Sequence, residues 1–166
     1  MPILYAMCGL AFAGKSTAAR RVAERLGAGL VGLDRIHEER GLFPGGDLDV
    51  ANWEETGRIA ETRARALLRE GRSAVVDDTF SYRRQRDAFR RLAEGEGAGF
   101  LVLYVDTPEA VIAARIAANR ANPSRADVLP HVLQFIRDEF EPPATDEPQV
   151  RFTAPEEIDA WLAGLP

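Results

Sequence analysis

Apolar runs of strand length alternate with helical patterns along the whole chain. From Pro2 to Cys8 the residues Ile3-Leu4-Tyr5-Ala6-Met7-Cys8 are apolar with no polar alternation, the pattern of a parallel strand buried on both faces. Ser16 to Leu26 then places Ala18, Ala19, Val22, Ala23 and Leu26 on one helical face, and Gly27 supplies the stop. Gly29 to Leu33 predicts a second short strand ending at Asp34, followed by a helix from about Arg35 to Arg40. The stretch Gly41-Leu42-Phe43-Pro44-Gly45-Gly46-Asp47 is dense in breakers and predicts a loop.

Trp53 to Glu70 predicts a long helix stopped at Gly71, and Ser73 to Val76 a buried strand that ends in Asp77-Asp78-Thr79. A helix over roughly Tyr82 to Glu94 and a strand over Phe100 to Val105 follow. Thr107-Pro108-Glu109 is a helix start with a hydroxyl cap and an early proline, and that helix should run to about Asn119. Arg120 to Ala126 is a polar break around Pro123, and Val128 to Phe140 returns to helical spacing. Val150-Arg151-Phe152 predicts the last strand, and Thr153-Ala154-Pro155-Glu156 a capping box for a final helix through Leu162. Such alternation predicts an α/β fold, a parallel sheet with helices on both faces.

At 166 residues and 46% hydrophobic content, the chain is expected to form one domain, residues 1–166, with a sizeable core. A net charge of −5 argues against a protein whose main task is gripping duplex nucleic acid. Cys8 is the sole cysteine, so no internal disulfide forms, and its place in the first strand predicts a small buried hydrophobe. No run reaches transmembrane length, and the opening apolar stretch lacks the basic flank of a signal peptide. A cytoplasmic protein without a membrane partner is expected.

The chemistry begins between the first strand and the first helix. Gly9-Leu10-Ala11-Phe12-Ala13-Gly14-Lys15-Ser16 is a G-x-x-x-x-G-K-S string, a P-loop. Lys15 is the only lysine in the chain, against twenty arginines. A bias toward arginine does not explain why the exception falls where a compact ammonium must fit among phosphate oxygens. Gly9 and Gly14 let the backbone approach phosphates, and the amides from about Ala13 to Thr17 would point at them. Lys15 would bridge the β- and γ-phosphates and Ser16 would ligate Mg²⁺. ATP and Mg²⁺ are therefore the expected cofactors.

Ligands of open α/β sheets bind beyond the carboxyl ends of the strands, where Asp34, Asp77, Asp78 and Asp106 fall. Asp77-Asp78 stands at a Walker B position, with Asp77 the candidate metal residue and Asp78 facing the acceptor. Asp34, one strand away, is the candidate general base for a hydroxyl acceptor, because its oxygen must be deprotonated and aimed in line with the γ-phosphate. Asp106 divides evenly between a site residue and a cap for the next turn. Arg115, Arg120 and Arg125 lie on a helix end and the break after it, as cations that arrive on lid closure would; Arg120 is the strongest candidate. Arg83, Arg84, Arg86, Arg90 and Arg91 predict a surface helix. His37 and His131 have no partner at ligand spacing and predict structural or surface roles.

Taken together, these residues resemble the small P-loop kinases related to zeta toxins, chloramphenicol phosphotransferase and polynucleotide 5′-hydroxyl kinases, within AAA-type ATP-binding proteins. The P-loop, Val31-Gly32-Leu33-Asp34, Val75-Val76-Asp77-Asp78-Thr79-Phe80 and Arg115-Ile116-Ala117-Ala118-Asn119-Arg120 carry the resemblance. It implies a three-layer P-loop NTPase fold with a five-stranded sheet in the order 2-3-1-4-5, a helical lid at about 115–127, and Asp34 as catalytic base. Polynucleotide kinases carry an arginine three residues after the base; here that position is His37, with Arg35 beside Asp34 instead.

The leading expectation is an ATP- and Mg²⁺-dependent kinase acting on a hydroxyl of a small molecule: an antibiotic, a sugar or a nucleotide-like metabolite. Its catalytic residues would be Lys15, Asp34 and Arg120. Gly9, Ala13, Gly14, Lys15, Ser16, Thr17, Arg115, Arg120 and Arg125 would hold the nucleotide, and Ser16 and Asp77 the metal. Asp34, Arg35, His37, Asp78, Phe43 and Trp53 would meet the acceptor. The alternatives are a polynucleotide or RNA 5′-hydroxyl kinase and a nucleotide-dependent switch without kinase activity.

Overall fold

A computed structural model describes residues 1–43, 45–46 and 48–165; Pro44 and Asp47 of the breaker-rich loop, and Pro166, lie outside the described residues. The elements alternate as the pattern predicts. In chain order they are β1 (Ile3–Cys8), α1 (Lys15–Leu26), β2 (Gly29–Gly32), α2 (Leu33–Glu39), α3 (Val50–Arg69), β3 (Ala74–Asp77), α4 (Arg83–Gly95), β4 (Gly99–Val105), α5 (Glu109–Ala121), α6 (Pro130–Glu139), β5 (Gln149–Phe152) and α7 (Pro155–Ala163).

The five strands form one parallel sheet in the order β2-β3-β1-β4-β5. β1 is central, and its side chains alternate between two buried clusters. Leu4, Ala6 and Cys8 pack with Val76, Ala64, Leu68, Phe89 and Leu92 on the side of α3 and α4. Tyr5 and Met7 pack with Ala19, Val22, Leu103, Ile158 and Leu162 on the side of α1 and α7. Burial on both faces is why the strand is apolar at every position rather than at every second one. Burial also pushes the Cys8 thiol up to about 12, so this cysteine is an inert core residue, as expected.

Register places the site. Met7 lies opposite Asp77, and Gly32 flanks Asp77 on the other side. The loop after β1, the acids after β3 and the start of α2 therefore emerge at one edge of the sheet. Asp34 belongs to the first turn of α2 rather than to a strand end, because the helix begins directly after Gly32.

Two local expectations are corrected. Thr107 does not cap α5: the N-cap is Pro108, and the Thr107 hydroxyl reaches across to the Ala13 carbonyl at 2.7 Å. At α7 the residue that returns to the Thr153 amide and hydroxyl is Glu157, at 2.6 and 2.9 Å, rather than Glu156.

Arg86 departs furthest from expectation. It sits on the buried side of α4, 1% exposed, and makes a two-pronged ion pair with Glu147 at 2.7 and 2.9 Å. Its remaining nitrogen donates to the carbonyls of Phe80 and Glu141. Burial works against the Glu147 carboxylate, and the guanidinium overcomes this, holding its pKa below the usual range. Phe80 has a left-handed backbone, φ 47°, which turns its carbonyl toward Arg86 and the Cys8 thiol. The chain is thus bent back immediately after Asp77-Asp78. Removing one partner of such a pair leaves a buried charge uncompensated. Arg86→Met should lower the unfolding free energy by about 3–5 kcal/mol in urea titrations; a loss near zero would show that the pair does not hold this turn.

Candidate active site

The P-loop runs from Gly9 into α1. Gly9 has φ 147°, and a Cβ there would collide with the Val105 carbonyl of β4. Gly14, φ 100°, caps α1 in the left-handed region, so the helix starts at Lys15 with its first amides open toward the cleft. The Gly9 amide bonds the Thr79 carbonyl at 3.1 Å, tying the loop to the turn that carries Asp77 and Asp78.

The Ala13 carbonyl is held from behind. It accepts from the Thr107 hydroxyl at 2.7 Å and from Arg115 Nη1 at 2.9 Å, and Arg115 also donates to the Phe12 carbonyl at 3.0 Å. A trans peptide is planar with its N–H opposed to its C=O, so drawing this oxygen backward aims the Gly14 N–H forward. Arg115 is thereby a brace behind the loop.

Together the P-loop, α2, the acids after β3 and the segment from Ser124 to Ile136 enclose a cleft of about 520 Å³. Gly14, Lys15, Ser16, Thr17, Asp34, Asp77, Asp78, Trp53 and Arg125 all line it. These are the donor, base, metal and acceptor candidates that the sequence suggests, brought together from five separate segments. Arg125 lies over the Phe12 ring at 4.4 Å. The Leu129 amide donates to the Gly45 carbonyl at 3.1 Å, joining the segment between α5 and α6 to the loop before α3.

The electrostatics set the buried Lys15 among Asp34, Asp77 and Asp78, with Arg125 acting on Asp34. Burial lowers the Lys15 pKa, and the charges of Asp77 and Asp78 oppose that loss. The ammonium donates to the Leu10 carbonyl at 2.7 Å. Burial raises Asp78 to about 6; the Thr79 amide and Lys15 pull it down, while Asp34 and Asp77 push it up. Asp34 is also raised, by the protein enclosing it and then by Asp77, against Arg125 and Lys15. Its carboxyl is nonetheless reached by solvent, because the cleft opens beside it.

Other candidates lie outside the cleft lining. Arg120 is exposed and pairs with Asp127 at 3.2 Å, within the lid itself. Arg35 is exposed and pairs with Glu39. His37 is fully buried, its ring edge-on to Trp53 at 4.5 Å, with neither ring nitrogen hydrogen-bonded; it supports the aromatic wall from beneath. Phe43 is half-exposed and does not line the cleft. Asp106 takes the Tyr104 hydroxyl and Arg151, which makes it a structural acid. The residues that sequence reading missed are Arg20, Glu38, Val128, Val132 and Ile136, all lining the cleft. Four-residue spacing was the available signal: Glu38 follows Asp34, and Ile136 follows Val132, one turn on.

Fold and cleft define the class first, a P-loop nucleotide-binding protein of the kinase type. The chain belongs to the AAA domain family, which matches residues 4–143. It is 30% identical over 161 residues to the adenylyl-sulfate kinase of Myxococcus xanthus, covering 96% of this chain and 84% of that one. Among solved structures, a sugar kinase from Janibacter superposes with a TM-score of 0.72 at 21% identity, covering 98% of this chain and 93% of the other. The APS kinase of Mycobacterium tuberculosis, in complex with AMPPNP and APS, gives 0.68 at 20% identity, covering 98% and 94%. These structures share the fold. Among the described residues no helix is long and apolar enough to cross a membrane.

Two measurements test the site. Because folding raises the Asp78 pKa from about 3.8 to about 6, its stabilising contribution is complete below about pH 4 and is lost as pH rises through about 6. Without nucleotide or Mg²⁺, Asp78→Asn should therefore unfold at higher urea than the parent above pH 6 and converge with it near pH 4; parallel profiles would refute the shift. Arg115→Ala should weaken ATP binding about tenfold, or about 1.4 kcal/mol, in calorimetric titrations. Unchanged affinity would mean that the brace does not orient the loop.

Proposed function

We propose that this protein is an ATP- and Mg²⁺-dependent kinase that transfers the γ-phosphoryl group to a hydroxyl of a small molecule. The observation that carries the reading is that Asp34, with its raised pKa, opens into the same cleft as Lys15, Ser16 and Asp77. A hydrolase needs a positioned water; a hydroxyl acceptor is helped by a carboxylate with enough basicity to take its proton. The acceptor O–H gives its proton to Asp34 while its oxygen bonds the γ-phosphorus. The bond from that phosphorus to the β,γ-bridging oxygen breaks, and ADP leaves.

The donor end fits a Mg²⁺-bound triphosphate. Among the described residues no cluster of three His, Cys, Asp or Glu side chains forms a closed metal cage. An oxygen set of Ser16 and one or two carboxylates, completed by phosphates and water, is what Mg²⁺ takes. Ser16 and Asp77 would hold the ion, which supplies charge neutralisation at the phosphates. The amides after Gly14 and the Lys15 ammonium would cradle the phosphates, and Arg125, which lines the same cleft, would add a further cation. The kinase among its relatives supports this reading, as does the resemblance of its motifs to the zeta-toxin and chloramphenicol phosphotransferase group.

Asp34→Asn should cut phosphoryl transfer at least 100-fold, while the affinity for ATP shifts less than threefold. Equal loss of both would make Asp34 a nucleotide or metal residue. Hydrolysis of ATP with no phosphorylated alcohol from any acceptor would replace the kinase reading with that of a switch.

A further inference from the structure

The acceptor end of the cleft has its own charge. Asp34 and Glu38 are four apart on α2, so they share one face of the helix, and both line the cleft. Glu38 is exposed and its carboxylate makes no hydrogen bond or ion pair among the described residues, whereas that of its neighbour Glu39 takes both Arg35 and Arg63. The cations of this region are turned away from the cleft. Arg35 is held by Glu39, and Arg40 is spent on the Asn52 carbonyl, the Asn52 side chain and the Thr56 hydroxyl. His37 is held neutral by burial and by Arg40, which both lower its pKa. The three cations that do line the cleft, Lys15, Arg20 and Arg125, come from the P-loop, its helix and the lid. Trp53 lines the same cleft as Glu38, 37% exposed, its ring edge-on to His37.

An unpaired carboxylate and an aromatic ring are what a protonated amine binds: the carboxylate by charge-assisted hydrogen bonds, the ring by its negative face. A phosphate, sulfate or carboxylate beside Glu38 would meet the two acids of α2, while Lys15 and Arg125, the cations that act on Asp34, come from other elements and are taken up by the donor phosphates in the kinase reading. Resting on the kinase reading above, we propose that the acceptor is an alcohol bearing a protonated amino group and no anionic group. Glu38 and Trp53 hold its ammonium, and Asp34 takes the proton of its hydroxyl. Glu38 is thus the residue that selects for charge.

The test is transfer of labelled γ-phosphate from saturating Mg·ATP to matched alcohols. One set is glucosamine, glucose and gluconate; another is serinol, glycerol and glycerate; adenylyl sulfate is added as a dianionic alcohol. Within each set the amine should have the highest kcat/KM, at least tenfold above the carboxylate member. Glu38→Gln, an exposed near-isosteric change, should raise the KM for the amine at least fivefold and that for the neutral member less than twofold. Glu38→Asp should restore part of the loss, and binding of a fluorescent ATP analogue should stay within twofold throughout. Preference for the neutral or anionic members, or full discrimination by Glu38→Gln, overturns the inference and leaves the kinase reading standing. ATP hydrolysis without a phosphorylated product from any alcohol removes both.

Discussion

The Lys15 ammonium is the constraint around which this molecule is arranged. It is the only lysine of the chain, it is desolvated, and its charge is sustained by Asp77 and Asp78 across the cleft. The acids are as dependent on it: burial drives Asp78 toward its neutral form, and Lys15 is among the charges that pull it back. A cation and carboxylates arranged this way are poorly satisfied by one another alone. Phosphate oxygens and Mg²⁺ would satisfy both, the oxygens at Lys15 and the ion at Asp77, so the electrostatics of the site are complementary to the expected ligand.

Holding those groups at close quarters requires support from behind. The Ala13 peptide is fixed by Thr107 and Arg115, and the turn after Asp77-Asp78 by Arg86, Glu147 and the left-handed Phe80. The first support comes from about a hundred residues away in the chain and the second from Arg86, six residues beyond Phe80 and held in turn by the distant Glu147; both act on backbone carbonyls. Backbone geometry, once set in this way, decides where amides and carboxylates point without any side chain having to reach into the cleft. The arginine-rich composition finds part of its explanation here, since a planar fork can bond two carbonyls or a carboxylate while remaining charged.

Groups of both charges line the cleft: Lys15, Arg20 and Arg125 come from the P-loop, α1 and the segment between α5 and α6, and Asp34, Glu38 and Trp53 from α2 and α3. The proposed phosphoryl transfer would use both, because negative charge on the donor must be held while a proton is drawn from the acceptor. The segment between α5 and α6 is tied to the loop before α3 through Leu129 and Gly45, and its Arg125 lies over the Phe12 ring of the P-loop. Arg120, at the end of α5, bonds Asp127 of the same segment and serves its local shape.

Local order along the chain determined much of this. Strand–helix alternation, the glycines and lone lysine of the P-loop, and the acids after β2 and β3 are local signals, because each reflects the packing or backbone freedom of a few consecutive residues. They sufficed for the parallel sheet and for most of the polar residues that meet in the cleft. Tertiary structure alone decided which of twenty arginines does what. The same residue type is a buried strut at Arg86, a brace at Arg115, a solvated ion pair at Arg35 and Arg120, and a cleft cation at Arg125. Charge and spacing do not distinguish these, since an arginine takes its role from the partner within reach, and those partners lie as far as about a hundred residues away. Glu38 went unnoticed for the same reason: nothing around it in the chain says that its carboxylate, unlike that of Glu39, would be left unpaired in a cleft with an aromatic wall.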